Sequence, residues 1–141
     1  MEWQEVKVDW QEGLTFMGSN DLGNQIKMGS KQDKTNISPM ELLLLGLAGC
    51  TGYDIVAILE KKRLDLKNFQ VKVRGMRAED YPMVYTDIEV EYLFWGSGIS
   101  EKAVEQAIEL SETKYCSASV MLGKTANITS SYQIFETEAE N

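Results

Sequence analysis

Residues 38–54 read SPMELLLLGLAGCTGYD. Ser38 stands where an N-cap hydroxyl is wanted, Pro39 takes the first helical position, and Glu41 follows the serine at capping-box spacing. These signals predict a helix from Ser38 to about Lys62, about 24 residues and roughly 36 Å at 1.5 Å per residue. The segment RLDLKN, residues 63–68, then breaks the pattern. Leu42 to Leu45 place apolar groups all round the cylinder, so its first half is expected to be buried on every side. The uncharged run from Leu42 to Tyr53 is 12 residues long, bounded by Glu41 and Asp54. A spanning helix needs about 20 apolar residues, so a core helix is expected and no membrane. Gly46, Gly49 and Gly52 recur at every third position. Each interior glycine costs ~1 kcal/mol against alanine, which suggests that another backbone approaches closely there.

On the N-terminal side, Val6, Val8 and Trp10 alternate with polar residues. Leu14 to Met17 and Gln25 to Met28 flank the turn-rich residues 19–24, SNDLGN. Three short strands in a meander are expected, followed by a polar loop over 29–36. On the C-terminal side the period returns to two. Phe69, Val71 and Val73 form one strand, and Thr86, Ile88, Val90, Tyr92 and Phe94 alternate with Asp87, Glu89 and Glu91 in a longer one with a wet face. Ser100 caps a second helix with apolar positions Ala103, Val104, Ala107, Ile108 and Leu110. A last strand is expected from about Ala126 to Phe135, and the ETEAEN tail (136–141) is expected to fray. The result is one α+β domain over residues 1–141, without internal repeats or βαβ units around a glycine-rich phosphate loop.

The 141 residues are 43% hydrophobic and 26% charged, which suits a self-sufficient core. Net charge is −8, and the only basic cluster is Lys61, Lys62 and Arg63, so no nucleic-acid partner is expected. The chain has no histidine. That excludes Ser-His-Asp triads, Cys-His dyads and the common His-containing zinc sites. The opening residues MEWQEVKVDW lack the basic and apolar regions of a signal peptide, so a cytoplasmic location is expected.

Two cysteines remain, Cys50 inside the glycine-rich helix and Cys116 after the second helix. Free cysteine is often an inert small hydrophobe. A structural disulfide closing so long a loop would stabilise by ~4 kcal/mol, but a reducing cytosol argues against it. A redox role needs one thiolate to attack a peroxide and a second thiol close enough to resolve the sulfenic acid. A helical turn over Ser117 to Leu122 would place a helix N-terminus at Cys116 and lower its pKa.

Ser38-Pro39-Met40-Glu41-Leu42, then Gly46-Leu47-Ala48-Gly49-Cys50-Thr51, then Lys114-Tyr115-Cys116-Ser117-Ala118-Ser119 resemble the OsmC/Ohr family of thiol peroxidases over nearly the whole chain. The resemblance implies an intertwined homodimer with sites at the subunit interface and an organic hydroperoxide as substrate. It implies that Cys50 attacks the O–O bond, that Cys116 condenses with the sulfenic acid, and that a small or lipoyl-type dithiol reduces the disulfide. No metal or cofactor is implied. The chain departs from the family in two places. Met40 stands where better-studied members carry a glutamate ten residues before the first cysteine; Glu41, about 100° round the helix, is the accessory candidate, and its capping role already accounts for it. No arginine occurs among residues 1–35, where those members supply one to hold the thiolate. Lys27, Arg74 and Arg77 are the cations left to consider, each with a plain reading as a solvated charge. Two rivals stay open: a non-catalytic module binding a small hydrophobic ligand, and a slow peroxide-responsive switch.

Overall fold

A computed structural model describes residues 1–137; of the tail expected to fray, residues 138–141 lie outside the described residues. The elements are three strands, a long helix, two strands, two short helices joined by a π-helical turn, and a final strand, an α+β chain. They group into two compact units, Met1–Leu43 and Leu44–Asn141.

In the first unit β1 (Val6–Glu12), β2 (Thr15–Asn20) and β3 (Gln25–Gly29) form an antiparallel meander in that order. The Asn20 carboxamide oxygen accepts the amides of Leu22 and Asn24 at 3.1 and 3.0 Å and so fixes the second turn. At the end of β3 the backbone turns through Gly29 at φ 151°, where a Cβ would strike the Leu14 carbonyl. Val6, Val8 and Trp10 are 75, 53 and 68% exposed. An open pocket of about 350 Å³ lies along Val6, Val8, Ile26 and Met28.

The long helix α1 spans Pro39–Lys61. It starts as expected: the Glu41 amide donates to Ser38 Oγ at 3.1 Å, and the Ser38 amide donates to the Glu41 carboxylate at 2.9 Å. It stops at Arg63, which takes φ 58° while the Arg63 and Leu64 amides turn back to the carbonyls of Glu60 and Leu59. This is a Schellman closure with a non-glycine residue in the left-handed position.

In the second unit β4 (Asp65–Arg77) pairs antiparallel with β5 (Tyr85–Ser97), and β6 (Asn127–Glu136) pairs parallel with β5. The crossover to β6 runs through α2 (Glu101–Leu110), a π turn (Ser111–Tyr115) and α3 (Ser117–Gly123). Ile88, Val90, Tyr92 and Phe94 point into the core, while Asp87, Glu89 and Glu91 take the other face, as the alternation indicates. Leu47, Ile55 and Leu59 of α1 and Val104 and Ala107 of α2 complete that core. The first tail residues are held: Gly98 donates its amide to the Glu136 carboxylate at 3.0 Å, and Thr137 donates to Gly96 O at 2.9 Å.

Two expectations for α1 are corrected. Its first half is not enclosed: Leu43 and Leu45 are 47 and 52% exposed. Burial is confined to Leu47, Thr51, Gly52, Ile55 and Leu59, because one stripe at four-residue spacing suffices to pack on one side. Nor, among the described residues of a single chain, does a backbone press on the glycines. A Cβ at Gly52 would meet the side chains of Val71 and Phe69 at 3.4 and 3.6 Å, and Gly46 and Gly49 face open space. Although its uncharged run is short, α1 is long and apolar enough to cross a membrane by length and composition. Its buried stripe is nevertheless tied to the sheet through Thr51, whose hydroxyl lies 2.9 Å from the Tyr92 phenol.

Candidate functional site

Cys50 lies mid-helix on α1, half-buried, and Asp54 follows one turn later on the same side. The second cysteine reaches the same place from the crossover. The π turn adds a residue to the helical path, closed by the Cys116 amide donating to Ser111 O at 2.7 Å. Cys116 then caps α3, its sulfur accepting the Ser119 amide at 3.3 Å. The two sulfurs and a carboxylate oxygen of Asp54 all lie within 4.8 Å of one another. Both cysteines are unbridged thiols, Cys116 with no exposed surface. A disulfide needs sulfurs roughly 2.05 Å apart, so the two thiols are near neighbours and not bonded.

As a ligand set, two thiolates and one carboxylate are one protein donor short of a closed four-coordinate site. Three donors would suit an open site, and the two adjacent sulfurs also make the cluster a thiol pair with a carboxylate beside it.

The electrostatics differ from the sequence expectation in one respect. Cys116 does sit at a helix N-terminus, but burial pushes its thiol up; the Ser119 hydroxyl and amide pull the other way and do not prevail. Behind the pair runs a string of hydrogen-bonded groups. Ser111 Oγ donates to Asp54 at 3.0 Å and lies 2.9 Å from Thr51 Oγ1. Thr51 is 2.9 Å from the Tyr92 hydroxyl, which donates to Glu112 at 2.8 Å. Burial pushes the Tyr92 phenol up, so it stays protonated.

The remaining candidates have partners of their own. Glu41 closes the capping box and pairs with Lys31 at 3.1 Å. The Ser38 amide, with help from Lys31, holds its carboxyl below the ordinary range. Lys27 holds Asp33 and Thr35, and the Thr35 hydroxyl and amide, more than Lys27, keep the Asp33 carboxyl at about 2. Arg74 forms a surface ion pair with Glu89, and Arg77 donates to Met83 O at 2.8 Å. Asp54 stood out in the sequence only as the charge that ends the apolar run of the helix. Thr51, Tyr92, Ser111 and Glu112 carried no sequence signal beyond ordinary polar residues in periodic elements.

The profile of the family described as OsmC-like protein matches residues 31–131. The chain belongs to the OsmC-like protein family. Over 92% of its length this OsmC-like chain is 39% identical to protein YhfA of Escherichia coli (strain K12), covering 97% of YhfA. The crystal structure of a hypothetical protein from Aquifex aeolicus VF5 superposes with a TM-score of 0.89 at 35% identity, over 98% of this chain and 100% of the other. The organic hydroperoxide resistance protein OhrB of Bacillus subtilis shares the fold at 13% identity, with a TM-score of 0.64 over 94% of this chain and 98% of OhrB.

Proposed function

We propose that this OsmC-like protein is a thiol peroxidase for organic hydroperoxides, cycling between a Cys50/Cys116 dithiol and their disulfide. The observation that carries the reading is the meeting of two sulfurs sixty-six positions apart beside a carboxylate, within 4.8 Å. Cys50, with surface exposed, is the attacking thiol. Cys116, fully buried and next to it, is the resolving one. Asp54 also borders an open pocket of about 400 Å³ lined by Ala57, Ile58, Leu110 and Tyr115, which suits the apolar body of an organic hydroperoxide. OhrB is named for organic hydroperoxide resistance, which supports the substrate class at family level. A small or lipoyl-type dithiol would complete the cycle, and the cytoplasm is the compartment that supplies one.

We also propose a homodimer. The exposed leucines of α1, the open space at Gly46 and Gly49, and the bare apolar residues of β1 are surfaces that a second copy would cover.

A slower redox switch is the second reading. Burial pushes Cys116 up, and the three cations considered for stabilising a thiolate are engaged with other groups. Stopped-flow oxidation of the dithiol by cumene hydroperoxide tests the peroxidase reading. A second-order rate no greater than that of a free thiol would leave the switch, and no oxidation at all would leave the module that binds a small hydrophobic ligand.

A further inference from the structure

The string Asp54–Ser111–Thr51–Tyr92–Glu112 contains four oxygen–oxygen contacts, at 3.0, 2.9, 2.9 and 2.8 Å. Its three hydroxyls supply three hydrogens, and ionised carboxylates at the ends only accept. With Ser111 donating to Asp54 and Tyr92 donating to Glu112, Thr51 has one hydrogen for two neighbours. One contact is then left with lone pairs facing each other. A single added proton, carried by the carboxyl at either end, gives every contact one hydrogen, with all donors pointing the same way along the string. A proton entering at one end therefore leaves by the other as each hydroxyl passes its own hydrogen on.

We propose that this string is a proton relay between the Cys50/Cys116 thiol pair and the protein surface at Glu112. Thr51 and Ser111 have no exposed surface, and neither has Tyr92. The string begins at the carboxylate that lies within 4.8 Å of both sulfurs. It ends in an open pocket of about 290 Å³ that Glu112 shares with Glu105, Glu109 and Tyr132. Asp54 also faces the pocket bearing Lys61, Lys62 and Tyr115, so a ligand seated there would take water away from this side of the carboxylate while the string reaches it from the other. Burial keeps Tyr92 a phenol, able to donate and accept at once.

The chemistry it serves rests on the proposed peroxidase reading. In the first step the Cys50 thiolate attacks a peroxide oxygen: S–O forms, O–O breaks, sulfur loses two electrons, and the departing alkoxide takes a proton to leave as alcohol. In the second the Cys116 sulfur attacks the sulfenic sulfur: S–S forms, S–O breaks, and hydroxide leaves with a proton as water. Each step removes one proton from a thiol and delivers one to a leaving oxygen. Asp54 takes the thiol proton, the string passes a proton on toward Glu112, and the reverse movement returns one.

The test uses two oxidants, cumene hydroperoxide and a dipyridyl disulfide, with closure of the intramolecular disulfide followed in water and in deuterium oxide. Thr51→Val and Tyr92→Phe, each checked for wild-type folding by circular dichroism, are expected to slow closure about tenfold or more, up to the 10²–10⁴-fold scale of general acid–base effects. They are also expected to reduce a multi-proton solvent isotope effect to that of one proton, and Thr51→Ser restores both. Closure at the wild-type rate in both variants, or slowing with the isotope effect unchanged, overturns the relay. A wild-type chain that shows this pattern with the dipyridyl disulfide but is inert to hydroperoxide retains the relay and refutes the peroxidase.

Discussion

The Ser119 amide points at the Cys116 sulfur across 3.3 Å, so the buried cysteine is itself the cap of the helix that follows it. That donation favours a thiolate, yet burial outweighs it and the folded chain holds the thiol proton more tightly than the unfolded one. The associated stability is present below the ordinary thiol value of 9.0 and is lost as the pH rises through the higher folded value. The unfolded chain sheds its proton first, so unfolding binds fewer protons and the slope is negative. Tyr92 adds the same sign above its ordinary value of 10.0. Urea unfolding of the reduced protein should show stability declining in the alkaline range, with the earlier part of the decline absent in Cys116→Ala.

Glu41 is a capping residue in this structure, and the proposed cycle gives it no step. Glu41→Gln should leave hydroperoxide turnover within about twofold, far from the 10²–10⁴ scale of a lost general acid or base. Ser38→Ala should lower stability by about 1 kcal/mol, the usual cost of a lost N-cap. Steady-state kinetics and chemical denaturation check the two halves separately.

Arg74 makes an ion pair whose arginine side chain is 82% exposed, and exposed pairs contribute roughly 0–1 kcal/mol. Arg74→Gln should therefore change neither thermal stability nor the rate of thiol oxidation measurably. Lys27→Gln should behave the same way toward oxidation, since its partners are Asp33 and Thr35.

Much of this was legible in the residues and some was not, for physical reasons. Ser38, Pro39 and Glu41 announce the helix start because capping is local, and the same hydrogen bonds occur in the structure. The alternation from Ile88 to Phe94 announces a half-wet strand because side-chain direction has period two. The parallel pairing of β6 with β5 was not legible, since alternation tells which face is apolar and not which edge is joined. The exposure of Leu43 and Leu45 was missed because composition gives the apolarity of a helix, not how many sides the chain can cover. Nearness of Cys50 and Cys116 was implied by family resemblance and not by spacing. The Thr51–Tyr92–Glu112 contacts join three distant elements, and no periodicity marks them.

Leu45, 52% exposed on α1, tests the dimer. Leu45→Glu should convert a dimer-sized species to a monomer-sized one in light scattering after size exclusion, because a charge buried without a partner is costly. The variant should keep its circular dichroism, since the residue is outside the core of its own chain. A wild-type mass that is already monomeric would place the surface to other use.

The central claim is that two distant thiols form one redox couple, and intact mass measurement tests it most directly. The reduced protein, treated with a stoichiometric organic hydroperoxide, should lose two hydrogens. Cys116→Ser should instead stop at the mass of a single added oxygen, and Cys50→Ser should not react. An unchanged wild-type mass under excess peroxide, or equal oxidation of Cys50→Ser, would contradict the account.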